Sequence, residues 1–129
     1  MSNDAFDEAL RLQRNASFEG FDWSHPEDLW DKLAEEIGEL REAVGHAHRQ
    51  EELGDILFMV VNLARHLGVD PARGLESTNR KFHQRYAHVM AHAAQLPPLG
   101  DPERLVQMEI LWQEAKRLEK KPRTADSYK

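Results

Sequence analysis

The sequence predicts an all-α protein, a single-domain bundle of about five helices. Three observations carry that expectation. Only 7 glycines and 6 prolines interrupt the 129 residues, and the stretches between them repeat apolar side chains at helical spacing. No run of four or more residues alternates apolar and polar in the manner of a strand. Two Asp-Pro pairs, Asp70-Pro71 and Asp101-Pro102, each supply a capping carboxylate followed by a proline whose fixed φ suits a first helical turn.

Each element follows from local chemistry. A first helix is expected over residues 4–15, with Asn3 or Asp4 as cap and Phe6, Leu10 and Leu12 facing inward. Residues 17–26 read as a loop carrying Phe18, Phe21 and Trp23, and Ser24 with Glu27 has the spacing of a capping box around Pro26. Leu29, Leu33, Ile37, Leu40 and Val44 form the stripe of a second helix, which Gly45 is placed to end. A third helix is expected from about Arg49 to Leu67, with Gly68 as its stop. The fourth opens at Asp70-Pro71 with the stripe Leu75, Phe82, Tyr86, Val89 and Ala93. After the break at residues 96–100, a fifth takes Leu105, Met108, Leu111, Trp112 and Ala115. The domain is expected to fill residues 1–129, with its core at about 18–118 and a loose basic tail over 120–129.

Composition narrows the function. Hydrophobic residues make up 40% and charged residues 31%, ordinary for a globular protein and too apolar for disorder. Cysteine is absent, which excludes disulfide scaffolds, thiolate metal sites and cysteine nucleophiles. A formal charge of −6 argues against a nucleic-acid partner. The longest apolar run, residues 56–61, is far too short to span a bilayer, and the acidic, polar N-terminus is unlike a secretory signal. The expectation is a cytoplasmic protein with neither nucleic-acid nor membrane partners.

The third helix is unusual. With Ile56, Leu57, Phe58, Met59, Val60 and Val61 consecutive, it is apolar almost all round, and a homodimer interface, or a tetramer of two dimers, would cover it. One polar line runs through it: Glu52, Asp55, Asn62 and His66, all within a narrow sector at 3.6 residues per turn. Carboxylates on such a helix are costly unless paired or metal-bound.

Two matching motifs explain them. Glu35-Glu36-Ile37-Gly38-Glu39 and Glu51-Glu52-Leu53-Gly54-Asp55 both read Glu-Glu-aliphatic-Gly-acid and sit symmetrically about Gly45. In an antiparallel hairpin, residues equidistant from the turn lie at one height, so Glu36 and Glu39 meet Glu52 and Asp55. Like charges in register repel unless a cation sits between them, and an all-oxygen set suits Mg²⁺ or Mn²⁺. A di-iron bundle would need Glu-x-x-His pairs, and the chain has none. The mid-helix glycines Gly38 and Gly54 cost roughly 1 kcal/mol each relative to alanine, which suits a close approach of helices or of a ligand.

Several motifs together resemble the MazG nucleoside triphosphate pyrophosphohydrolases, within the wider all-α NTP pyrophosphatase group. They are Gly20-Phe21-Asp22-Trp23, Lys32-Leu33 leading into Glu35-Glu36-x-x-Glu39, Glu52-x-x-Asp55, and Val61 through Gly68. Thr78-Asn79-x-Lys81-Phe82-x-x-Arg85 and Leu111-Trp112-x-x-x-Lys116 extend the likeness over about residues 18–118. The resemblance implies a helical dimer that splits nucleoside triphosphates into monophosphate and pyrophosphate. It implies Mg²⁺, with Mn²⁺ able to substitute, on Glu36, Glu39, Glu52 and Asp55, with Glu35 supporting the site or activating water. It further implies that Lys81, Arg85 and Lys116 hold phosphates, with Trp112 beside them. Two departures stand out: some relatives have a lysine where this chain has His48, next to Arg49, and well-known members carry two tandem copies where this chain has one.

Other residues suit two roles. Lys81 and Arg85, four apart, are either a solvated basic edge or a phosphate clamp. Phe21 and Trp23 either stack on a base or fasten the loop. Asn62 belongs with the ligand, while Asn79, inside an apolar stripe, needs a partner in ligand or backbone. Trp112 is either core or ligand contact, and His46 and His48 belong in a solvated turn. Two other functions fit the same features: a narrower pyrophosphatase for dUTP, dCTP or phosphoribosyl-ATP, and a non-catalytic metal-stabilised helical module.

Overall fold

A computed structural model describes residues 4–120, with side chains from residue 5. Five α-helices follow one another: α1 (Asp4–Phe18), α2 (Pro26–Glu42), α3 (His46–Leu67), α4 (Pro71–Met90) and α5 (Pro102–Glu119), with a 3₁₀ turn at Ala93–Gln95. No strand occurs among the described residues, and none of the helices there is long and apolar enough to cross a membrane. Asn3 and the tail beyond Lys120 lie outside the described residues. The chain groups into two compact units, one ending at Leu75 and the other starting at Glu76.

Local signals placed the helix ends with a few corrections. Asp70 and Asp101 cap as expected: Asp70 Oδ1 accepts from the Ala72 and Arg73 amides at 2.9 and 3.4 Å, and Asp101 Oδ1 from the Glu103 amide at 2.9 Å. Gly68 ends α3 in the left-handed region (φ 72°), where its own amide and that of Val69 close on Arg65 and Ala64 carbonyls. The Ser24–Glu27 box does not form; His25 is the N-cap and makes no side-chain bond, while Pro26 starts the helix. Helix α1 runs on through Ser17 and Phe18, so the loop begins later than expected. Gly45 (φ 92°) opens α3 at His46 rather than closing α2, which has already ended at Glu42. Helix α4 stops at Met90, short of Ala93.

In the first unit α3 packs against α1 and α2, and the buried apolar residues are Leu29, Ala43, Met59, Val61 and Ala64. Leu12 was expected inward but is 48% exposed; Gln13 takes the inward place, its Nε2 donating to the Phe58 carbonyl at 3.0 Å. Ile37 and Val44 of the α2 stripe are exposed, as are Leu53, Leu57 and Phe58 of α3. Gly38 and Gly54 do not mark a close approach of helices, since a Cβ added at either would meet nothing within 4 Å. In the second unit Val89 and Ala115 are buried, while Phe82 and Tyr86 are exposed.

Candidate metal centre

Helix α2 carries Glu35, Glu36 and Glu39 on adjoining turns, and α3 carries Glu52 and Asp55 one turn apart. Their carboxylate oxygens gather in two overlapping groups, Glu35–Glu36–Glu39 and Glu36–Glu52–Asp55, with the oxygens of each group within 4.8 Å of one another. Glu36 belongs to both and is buried. Glu36 Oε2 and Glu52 Oε2 are buried without a hydrogen-bond partner among the described residues. A buried carboxylate oxygen with nothing to accept from is expensive, and two of them facing one cluster fit a hard cation. The Glu36 charge beside Glu39, aided by some loss of hydration, pushes the Glu39 carboxyl above its ordinary pKa.

Two neighbours bond to these carboxylates, one of them a cation. Lys32 Nζ lies 2.7 Å from Glu35 Oε1 and 3.2 Å from Glu36 Oε1, and these bonds raise its pKa. His48 accepts from the Val44 amide on Nδ1 at 3.4 Å. That assigns the ring proton to Nε2, which donates to Glu52 Oε1 at 3.3 Å. His46 and His48 are both exposed, yet they start α3 instead of lying in a turn. A cleft of about 460 Å³ opens here, lined by Glu35, Gly38, Glu39, Glu42, His48 and Glu52.

Further along α3 in the same unit lies a larger cavity, of about 630 Å³. Its walls include Gln13, Asp22, Trp23, Met59, Asn62 and Arg65. Arg65 dominates the polar side. Nη1 and Nη2 donate to Asp22 Oδ2 and Oδ1 at 2.7 and 2.8 Å, Nη2 to Asn62 Oδ1 at 2.9 Å, and Nε to Gln13 Oε1 at 3.4 Å. Asp22 also accepts from the Trp23 amide at 2.7 Å and pairs with His66 Nε2 at 3.1 Å. The Arg65 guanidinium holds the Asp22 carboxyl far below the usual carboxylate range and is itself raised in return. The polar line on α3 therefore divides, with Glu52 and Asp55 in the acidic cluster and Asn62 and His66 in this network. The sequence reading missed Asp22, Arg65 and Gln13. Of the two loop aromatics, Trp23 is half-buried in the wall and Phe21 is 83% exposed at the rim.

In the second unit Arg85 donates to both Glu119 oxygens, with Nη2 at 2.8 Å, and its guanidinium lies 5.7 Å from the Trp112 ring centre. Trp112 also packs on Phe82, ring centres 5.3 Å apart. Arg85, then the charges of Lys81 and Lys116, hold the Glu119 carboxyl below its ordinary pKa. Arg85 thus pairs with a carboxylate that the sequence reading had left aside. Asn79 is exposed, so it is not the partnered polar group within an apolar stripe that was expected.

Comparison with known proteins matches the segment that carries both acidic motifs. Residues 24–90 match the model of the MazG nucleotide pyrophosphohydrolase domain. The chain is 49% identical over 78 residues to the nucleoside triphosphate pyrophosphohydrolase/pyrophosphatase MazG of Thermotoga maritima, covering 60% of this chain and 31% of that protein. It is 40% identical over 118 residues to the nucleoside triphosphate pyrophosphohydrolase of Escherichia coli K12, covering 86% of this chain and 44% of that one. An uncharacterized Bacillus subtilis protein, YabN, is 36% identical over 77 residues, 59% of this chain and 16% of its own. The chain spans less than half the length of these relatives. With both acidic motifs inside the matched segment, the chain belongs to the MazG nucleotide pyrophosphohydrolase domain family.

Proposed function

We propose that this domain hydrolyses nucleoside triphosphates to the monophosphate and pyrophosphate with Mg²⁺, or Mn²⁺ in its place. The observation that carries the reading is the pair of buried oxygens on Glu36 and Glu52, without a partner among the described residues, within a five-carboxylate cluster. Glu36, Glu39, Glu52 and Asp55 would hold the ion. Bound there, Mg²⁺ supplies a Lewis acid for the phosphate oxygens and for water. Glu35, bonded to Lys32 and lining the cleft, would orient an attacking water and take its proton. Lys81, Arg85 and Lys116 would hold the phosphates, with Arg85 exchanging Glu119 for a phosphate in that role. Trp112 supports Arg85 from beneath, and Asn79 belongs to the same motif.

The exposed apolar residues Leu53, Leu57 and Phe58 of α3 support a homodimer, or a tetramer of two dimers. The decisive assay mixes the protein with a panel of NTPs and dNTPs and measures pyrophosphate, with Mg²⁺ and then with chelator. Pyrophosphate release that chelation stops supports the reading. With Mg²⁺ bound and no release from any nucleotide, the domain is a non-catalytic metal-stabilised module. Light scattering giving a monomer of 14.9 kDa at micromolar concentration would rule out the dimer.

A further inference from the structure

The cavity beside Trp23 has a buried wall whose side-chain acceptors are all engaged by one guanidinium. Arg65 alone occupies both Asp22 oxygens, Asn62 Oδ1 and Gln13 Oε1. Because a guanidinium only donates, the Asn62 atom facing it is the oxygen, and the amide orientation is fixed. Asn62 is 5% exposed, and its Nδ2 meets only the Met59 thioether, at 3.8 Å, among the described residues. A buried NH₂ group with so weak a partner is a donor awaiting an acceptor. The side chains free to accept from a ligand, Ser24, His25 and Asp28, stand exposed at the rim. The remaining lining is largely apolar, with Leu12, Phe58, Met59 and the Trp23 ring, which suits a flat ring.

Position on α3 gives the ring its direction. Asn62 follows Asp55 by two turns on the same face, about 10 Å along the axis. A nucleotide with its phosphates at the acidic cluster would reach this cavity with its base if the base ran along α3, and its edge farthest from the sugar would then enter deepest.

We propose that this cavity is a nucleobase subsite that selects bases with a keto oxygen at that deep edge (uracil, thymine, guanine, hypoxanthine) over those with an amino group (cytosine, adenine). The inference rests on the pyrophosphohydrolase reading and deepens it. Asn62 is the specificity-determining residue. Arg65, anchored by Asp22, is a positioning residue that keeps the Asn62 amide turned donor-inward. A keto oxygen accepts from Nδ2, whereas an amino group there sets donor against donor.

The test uses pairs that differ at this edge, dITP against dATP and dUTP against dCTP. Wild-type kcat/KM should favour the keto member of each pair by roughly ten- to a hundredfold, from one buried hydrogen bond gained or spoiled. Asn62→Leu should bring the ratio close to one, and Asp22→Asn, which loosens Arg65, should reduce it. Circular dichroism and a Mg²⁺ titration check that each variant is folded and loaded. Calorimetric binding of dIMP against dAMP asks the same question without turnover. A keto preference in binding with no turnover would overturn the catalytic reading and leave this one standing. Equal binding and equal turnover within both pairs, or a wild-type ratio in Asn62→Leu, would overturn the base subsite alone. Failure of both monophosphates to bind would overturn it as well.

Discussion

Replacing Glu36 by glutamine should stabilise the cation-free protein and remove its response to magnesium. The oxygens of Glu36 and Glu52 lie within 4.8 Å, where two unit charges repel by about 1 kcal/mol in water and about 3.5 kcal/mol at an effective dielectric of 20. Glutamine removes that repulsion, and its NH₂ can donate to the partnerless Glu52 Oε2. Against this stands the loss of the Lys32–Glu36 pair at 3.2 Å, whose lysine is partly exposed, and such pairs contribute little. The balance is a gain of about 1–2 kcal/mol without divalent ions, or roughly 3–8 °C in Tm for a chain of this size. With Mg²⁺ at a hundred times its Kd, the wild type should gain about 2.7 kcal/mol while the variant gains little, so the order of stability inverts. Thermal melts followed by circular dichroism, in chelator and across a Mg²⁺ titration, read both effects. A variant that melts below wild type in chelator, or that gains as much from Mg²⁺, would refute the reasoning.

Three further outcomes are expected. Asp55→Asn should abolish pyrophosphate release while the melt in chelator is unchanged or raised, because one of several mutually repelling charges is gone. Arg85→Ala should lower kcat/KM roughly ten- to two-hundredfold, the range for losing a charged hydrogen bond to phosphate; its Tm should fall only slightly, since the Glu119 partner is left at the surface, and steady-state kinetics with a melt separates the two effects. Asp22 titrates below its ordinary 3.8 because of Arg65, so its stabilisation is complete above that pH and is lost as pH falls through the lowered folded value. The Tm deficit of Asp22→Asn at pH 7 should therefore shrink below about pH 4, and a deficit that grows there would contradict the pairing.

What the sequence disclosed was mostly local. The Asp-Pro starts and the Gly68 stop depend on a few adjoining residues, so their chemistry could be read directly. The acidic cluster was legible because a short hairpin converts symmetric sequence positions into spatial neighbours. The Arg65 network was not, since it joins α1, the following loop and α3 across separations of 43 and 52 residues, and no periodicity records such a meeting. Arg65 itself fell outside the polar line traced on α3, although Asp22 and Arg65 both stood in motifs already noticed. Apolar stripes likewise named a face without naming its cover, hence the exposure of Ile37, Val44 and Phe82. The absent Ser24 cap shows that a matching spacing is insufficient when the chain enters the helix one residue later.

All five carboxylates of the cluster lie between positions 35 and 55, on two helices joined by three residues. The entropy of closing so small a loop is low, and contacts this close in sequence form early in folding. The hairpin is thus able to assemble its ligand set before distant segments of the chain have found one another. A divalent ion present during folding would then act on the nascent hairpin as well as on the finished protein, accelerating the first contacts instead of merely tightening the last. The same locality has a thermodynamic corollary. A partly unfolded chain that keeps the hairpin also keeps some affinity for the ion, so the rise in melting temperature understates how tightly the folded site binds.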